Sequence, residues 1–232
     1  MSESLQFDIQ CRPDFSLLQL SLKPGQKVHA EPSAMASMSP SLTMKAGLKG
    51  GMLKSLGRML GGESMVVNTF TADRGAAELT LAPGHAGDTQ HYQLTGGTFY
   101  LQRGAYLANS DGVEVTGSWQ GAKGFFSGEG LVLLKASGNG DIFFNSYGAI
   151  LEIDVVGDYV VDSGYIVAFE DTLRYEIGTL PGLRAGGFKR LFFSGEGLVC
   201  RFSGQGRLWV QTRYVSPLLS WIHAFRPVKK NN

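Results

Sequence analysis

Cysteine is almost missing from this chain, with two in 232 residues, Cys11 and Cys200. That excludes a disulfide-stapled secreted scaffold. Cys200, inside the strand-like run Leu198-Val199-Cys200-Arg201-Phe202, reads as a buried reduced thiol. Long apolar runs are missing too, and none approaches the ~18 residues that a spanning helix needs. The first residues, Met1-Ser-Glu-Ser-Leu-Gln-Phe-Asp, have neither a cationic start nor an apolar stretch, so they do not read as a secretory signal. A soluble, cytoplasmic protein is expected. Charge is sparse and balanced, with 21 Lys plus Arg against 20 Asp plus Glu and a net charge of +1. This excludes a strongly basic nucleic-acid binder of the histone kind, though not a local basic patch. Histidine is scarce, and His29, His85, His91 and His223 form neither His-x-His nor His-Glu-x-x-His. Each therefore reads as structural or surface, and no metal is expected. There is no Gly-x-Ser-x-Gly elbow, and Gly50-Gly51-Met-Leu-Lys54-Ser55 misses the spacing of a phosphate loop. The expectation is no cofactor and no catalytic residue, hence not an enzyme.

Glycine, by contrast, is abundant, at 32 of 232 residues, about twice ordinary usage. Part of that excess belongs to a repeat. Phe125-Phe126-Ser127-Gly128-Glu129-Gly130-Leu131-Val132 recurs unchanged, 67 residues on, as Phe192-Phe193-Ser194-Gly195-Glu196-Gly197-Leu198-Val199. Gly62-Glu63-Ser64-Met65-Val66-Val67 stands 66 residues before Gly128-Glu129. Each copy leads into a second strand-like stretch: Glu78-Leu79-Thr80-Leu81, Asp141-Ile142-Phe143-Phe144 and Arg207-Leu208-Trp209-Val210. The residues between, Gly75, Gly138-Asn139-Gly140 and Gly204-Gln205-Gly206, predict hairpin turns. A second repeated element precedes each copy, with Gly25, Gly104 and Gly164 opening short strands that end on Ala30, Ala108 and Ala168. Period-2 patterning, as in Leu151-Glu-Ile153-Asp-Val155, marks the strands. The chain thus reads as one compact all-β body over 1–232. It comprises three repeated units near 5–85, 86–150 and 151–225 in pseudo-threefold arrangement, with a 226–232 tail.

The first unit is longer than the others, and its surplus falls between Pro40 and Gly61. Met52, Leu53, Leu56, Met59 and Leu60 follow the spacing of one helical face. Lys49, Lys54 and Arg58 supply basic charge. A short amphipathic helix is expected here. It either caps an open end of the β-body or serves as an insertion that meets a partner protein or a membrane surface, since flexible Met with basic charge suits such contacts. Its apolar residues also make self-association into a homo-oligomer an expectation. The equivalent pairs Gly62-Glu63, Gly128-Glu129 and Gly195-Glu196 could bring three carboxylates around one cation. The preferred reading is structural: each Glu accepts backbone N–H bonds in a tight strand-entry turn whose glycines permit unusual dihedrals.

Charge is uneven along the chain. Residues 141–176 hold eight acids and one base, whereas 177–232 hold one acid and nine bases. Such an asymmetry can hold units together or dock neighbouring chains. Arg201, Arg207 and Arg213 beside Trp209 and Tyr214 would suit stacking on single-stranded nucleic acid, but strand residues with aromatics inward and Arg outward explain the same pattern. Nucleic acid is not the expected partner.

Three stretches carry a family resemblance. They are Leu22-Lys-Pro24-Gly25-Gln26-Lys-Val28-His-Ala30-Glu31-Pro32-Ser-Ala34-Met35-Ala-Ser-Met38-Ser-Pro40, Met59-Leu-Gly-Gly62-Glu63-Ser64-Met-Val-Val-Asn68-Thr69-Phe70-Thr71-Ala72 and Leu81-Ala82-Pro83-Gly84. Together they resemble the mitochondrial biogenesis, or "altered inheritance of mitochondria", family of bacteria, archaea and fungi. The resemblance implies β-sandwich units like those of the tryptophan RNA-binding attenuation protein. It links fungal members to mitochondrial inner-membrane organisation, and this chain, without a targeting segment, reads as a prokaryotic member. It brings no established activity. RNA binding would be fold analogy alone, and Glu stands at the three strand-entry motifs where the attenuation protein has its Lys/Arg pattern. The function expected is a non-enzymatic scaffold or interaction protein that contacts a membrane-associated complex through the basic Met-rich insertion. The alternatives are a nucleic-acid binder or a small-molecule-binding β-barrel.

Overall fold

The computed structural model describes residues 4–48, 66–118, 132–178 and 198–226. The described chain is almost all strand, with one short helix. The strands are β1 (Gln6–Gln10), β2 (Leu17–Leu22), β3 (Lys27–Ala30), β4 (Met35–Met38), β5 (Thr43–Leu48), β6 (Val66–Thr71), β7 (Ala77–Leu81) and β8 (Thr89–Gln102). They continue as β9 (Tyr106–Ser110), β10 (Val113–Ser118), β11 (Leu133–Asn145), β12 (Ile150–Asp162), β13 (Ile166–Glu170), β14 (Leu173–Gly178) and β15 (Val199–Gln211). A helix, α1, spans Val215–His223.

Alternation of apolar and polar residues explains most of these strands. In β2, Leu18, Leu20 and Leu22 point into the core between partly exposed neighbours, and β7 does the same with Ala77, Leu79 and Leu81. The strands form a four-stranded sheet, β1-β2-β7-β4, and an 11-stranded sheet, β12-β15-β13-β8-β11-β9-β3-β6-β5, in which β10 also pairs with β11 and β14 with β15. The named pairs are antiparallel. One apolar cluster joins leucines of β2 and β7 to Val28, Phe70 and Phe143 of the larger sheet. A second gathers Phe99, Phe144 and Trp209. A third is built on Phe169, Phe202 and Leu208.

The order long strand, 3-10 turn, two short strands, long strand occurs over β8 to β11 and again over β12 to β15. The turns are Arg103–Ala105 and Ser163–Tyr165, capped alike. The Gln102 side chain accepts the Gly104 N–H at 2.9 Å, and Asp162 accepts that of Gly164 at 2.8 Å. These are the glycines expected to open short strands, and β9 and β13 do follow them, each running two residues past its Ala.

The glycine turns need correction. Gly138-Asn139-Gly140 and Gly204-Gln205-Gly206 are not hairpin turns but lie inside the single long strands β11 and β15. In β11 the pairing with β8 shifts between Ser137 and Asn139, a bulge. Gly138 and Gly140 take positive φ, and a side chain at Gly140 would run into the Ser110 hydroxyl. Glycine here admits a close backbone approach rather than reversing the chain. Of the three, Gly75 alone stands between separate strands, β6 and β7. Part of the surplus in the first unit is also regular structure, because Thr43–Leu48 is strand β5, paired along β6. Finally, α1 lies at the end of the third unit, where no helix was expected.

Gly140→Ala is expected to cost about 2 kcal/mol or more, from strained backbone and overlap with Ser110. Gly47→Ala, with open space around it, is expected to stay within about 0.5 kcal/mol. Urea unfolding of both variants checks this; equal losses would contradict it.

Candidate functional site

The insertion and the repeated motif singled out by sequence fall outside the described residues. This holds for Lys49, Met52, Leu53, Lys54, Leu56, Arg58, Met59 and Leu60 of the insertion, and for Gly62, Glu63, Gly128, Glu129, Gly195 and Glu196 of the repeated motif. What the structure does describe is a set of polar clusters at seams between elements.

The first sits on Asp141, which enters β11 after the glycine bulge with its side chain fully buried. Its Oδ2 accepts the Leu5 amide at 2.8 Å, and its Oδ1 accepts the Ser4 hydroxyl at 3.2 Å and meets His91 Nε2 at 2.9 Å. Phe7 and Phe143 close over the imidazole, with centroids 4.5 and 5.1 Å from it. Burial pushes the Asp141 carboxyl up, but the His91 hydrogen bond, the Leu5 amide, the His91 charge and the Ser4 hydroxyl outweigh it and hold it below its ordinary value. An imidazole–carboxylate pair can move protons, but here the carboxylate fastens the N-terminal segment to β11. His91 and His29 both fit the expected structural role. His29 lies 3.0 Å from the Thr69 hydroxyl and 3.0 Å from Asp111.

The second cluster is a fork. Arg12 reaches buried Asp88 through Nε at 2.7 Å and Nη2 at 2.8 Å, the bidentate geometry that fixes both orientation and charge. Nearby, Ser16 bonds Thr89 at 2.6 Å and the Gly87 carbonyl at 3.1 Å. Together they bind the loop after β1 to the strand entry of β8.

The third cluster explains the charge asymmetry. β12 and β15 pair along their whole length, so the acidic stretch and the basic stretch become neighbours. Arg207 donates through Nε and its backbone N–H to Glu170, each at 2.9 Å, and through Nη1 to Glu152 at 3.4 Å. Its guanidinium lies over the rings of Tyr92 and Trp209 at 5.3 and 5.1 Å. The Trp209 indole donates to Glu152 at 3.0 Å, and the Tyr92 hydroxyl to Glu170 at 3.1 Å. Burial raises the Glu170 carboxyl, but the Arg207 and Tyr92 bonds hold it below its ordinary value. This cluster joins β8 to β12, β13 and β15. Trp209 is 2% exposed, so it presents no face for a base to stack on, and Arg207 is engaged by carboxylates. The basic stacking patch loses these two members.

Beside it lies a depression of about 380 Å³ lined by Asp158, Val160, Arg174, Glu176, Arg201 and Ser203. Both charge signs alternate there across three paired strands. Cys200 is buried as expected, and burial pushes its thiol up to about 12, away from reactive thiolate character. Among the described residues no three His, Cys, Asp or Glu side chains converge so as to hold a metal ion. No helix there is long and apolar enough to cross a membrane.

Sequence reading missed the partners of Asp141 and Glu170, which lie 50 and 37 positions away at His91 and Arg207. Only strand pairing brings them together. It also missed α1, although Val215, Leu218, Leu219 and Ile222 carry helical spacing with Pro217 in the first turn.

Two antiparallel sheets, long strands with glycines inside them and carboxylates at the seams define an all-β protein. The model of the Mitochondrial biogenesis AIM24 family matches residues 7–213, and the chain belongs to that family. An uncharacterised protein of Streptococcus pyogenes serotype M6 is 26% identical over 237 residues, covering 98% of this chain and 93% of its own length. The crystal structure of a Streptococcus pyogenes protein superposes with a TM-score of 0.81 at 25% identity, covering 96% of this chain and 100% of that one. Neither relative brings an activity with it.

Asp141→Asn is expected to lose about 2 kcal/mol at neutral pH, since a carboxylate in charge-assisted bonds becomes a mismatched amide. The carboxyl is held low in the folded state. Its contribution is therefore present above the ordinary value of 3.8 and is lost as pH falls toward its folded value. The stability of the variant should fall less steeply below about pH 4. Thermal melts across that range read the difference.

Asn145, fully buried at the end of β11, has neither side-chain oxygen nor nitrogen paired. Asn145→Leu removes that unpaid desolvation and is expected to raise stability by about 1 kcal/mol. A loss in urea unfolding would show that the amide has a partner under working conditions.

Proposed function

We propose that this chain is a non-enzymatic scaffold or interaction protein acting in the cytoplasm, which meets a protein partner at a membrane-associated complex through the basic, Met-rich stretch around residues 49–60. One observation carries the reading. The buried and half-buried carboxylates Asp141, Asp88 and Glu170 are each spent on fastening one element to another. Such bonds favour a rigid body whose surfaces, rather than a reacting centre, do the work.

The same reading takes the body as three β-sandwich units in pseudo-threefold arrangement, like the tryptophan RNA-binding attenuation protein. Support comes from pairing. In the first unit β2·β7, β3·β6 and β5·β6 stand where β8·β11, β9·β11 and β10·β11 stand in the second. A turn at Gly75 divides β6 from β7 where β11 is continuous. Apolar residues shared by the two sheets support the sandwich.

The test is Leu53→Glu with Leu56→Glu in the full chain. Affinity purification from soluble and membrane fractions of the source cells should recover a partner with the unaltered chain and lose it with the variant. Identical recovery by a folded variant would retire the insertion as the contact.

A further inference from the structure

Helix α1 has no buried residue. Leu219, Trp221, Ile222 and Phe225, the last two residues beyond its end, are 47, 63, 41 and 72% exposed. At about 100° per residue these four share one side with Val215 and Leu218, while Ser216, Ser220 and His223 occupy the other. The Trp221 and Phe225 rings meet edge to face at 5.2 Å, forming one aromatic ridge. The helix is hung from the body at its start. There the Thr212 and Arg213 amides donate to the carbonyls of Ala149 and Tyr147 at 3.0 and 3.2 Å, and Tyr214 packs on Tyr165.

Charge says what this face would meet. Residues 197–232 contain no Asp or Glu. Arg213 stands at one end of the helix and Arg226 just past the other, both exposed, and the sequence continues through Lys229 and Lys230. Aromatics on an apolar face with cations at its ends are the arrangement of a helix lying in a bilayer interface, rings at the acyl boundary and bases among anionic headgroups. A second copy of the chain fits less well. A nine-residue helix is about 14 Å long and offers far less than the ~800 Å² per partner of a stable interface. The helix also follows the residues matched by the family model, which end at 213.

We propose that α1 docks this protein on an anionic lipid surface, laying its Leu219–Trp221–Ile222–Phe225 face into the interface with Arg213 and Arg226 at the headgroups. This goes beyond the scaffold reading, because it needs no protein partner and uses none of residues 49–60. Its failure on protein-free vesicles would leave partner capture untouched.

The experiment is flotation of the purified full chain with phosphatidylcholine vesicles and with vesicles that also contain phosphatidylglycerol. Binding to the phosphatidylglycerol vesicles is expected at low salt, weakened at high salt by screening. Trp221→Glu with Phe225→Glu should lower it on the order of tenfold or more, since two rings no longer leave water. That variant should keep the thermal melt of the β-body, as neither residue is buried. Arg213→Gln with Arg226→Gln should erase the preference for anionic vesicles, and Leu53→Glu with Leu56→Glu should change nothing. Absence of binding at low salt, or equal binding by the Trp221 and Phe225 variant, would overturn the proposal. So would a dimer in sedimentation that the same variant converts to monomer, which would assign the face to a second copy.

Discussion

Two long strands carry this molecule, and their hydrogen bonding on both edges is the constraint from which the rest follows. β11 meets β8 on one side and β10 and β9 on the other; β15 meets β12 on one side and β14 and β13 on the other. A buried backbone group without a partner is expensive. A strand of thirteen residues bonded on both edges satisfies that demand over a long stretch of core. The glycines in mid-strand keep this compatible with sheet twist. Gly138 and Gly140 let β11 bulge at the point where its partner changes from β10 to β9, and Gly204 takes positive φ at the equivalent place in β15.

Polar side chains then lock the seams that backbone pairing leaves open. Asp141 holds the N-terminal segment, Asp88 holds Arg12, and Glu170 with Glu152 holds Arg207 against Tyr92 and Trp209. Asp141, Asp88 and Glu170 are half or fully withdrawn from water and met by several donors, so losing one partner strands the others. The acid-rich and base-rich stretches, successive in the sequence, are cross-strand neighbours in space.

Fold class was legible in the sequence because period-2 alternation is a local pattern. The glycine turns were misread because Gly-x-Gly looks the same whether it reverses a chain or sits inside a long strand. Close contacts reached across the sheet, Ser110 at Gly140 and Thr172 at Gly206, distinguish them. The partners of Asp141 and Glu170 were illegible for a related reason: nothing near Asp141 in sequence names His91 or Leu5. Helix α1 escaped notice because its apolar spacing is short and lies at the end of a unit otherwise built of strands. The stretches that drew most attention in the sequence, the insertion and the Gly-Glu-Gly motifs, lie outside the described residues.

Among the described residues β12 hydrogen-bonds to β15 alone, which makes it the rim of the larger sheet, with Val156 and Val160 exposed along it. An apolar rim of this length invites copies of the same chain to add on, strand to strand. Glu152, Asp154, Asp158 and Asp162 stand at alternate positions on one face of that strand. An antiparallel match with its own image would crowd acids against acids across the joint. Among the described residues, charge thus guards this rim against pairing with its own image.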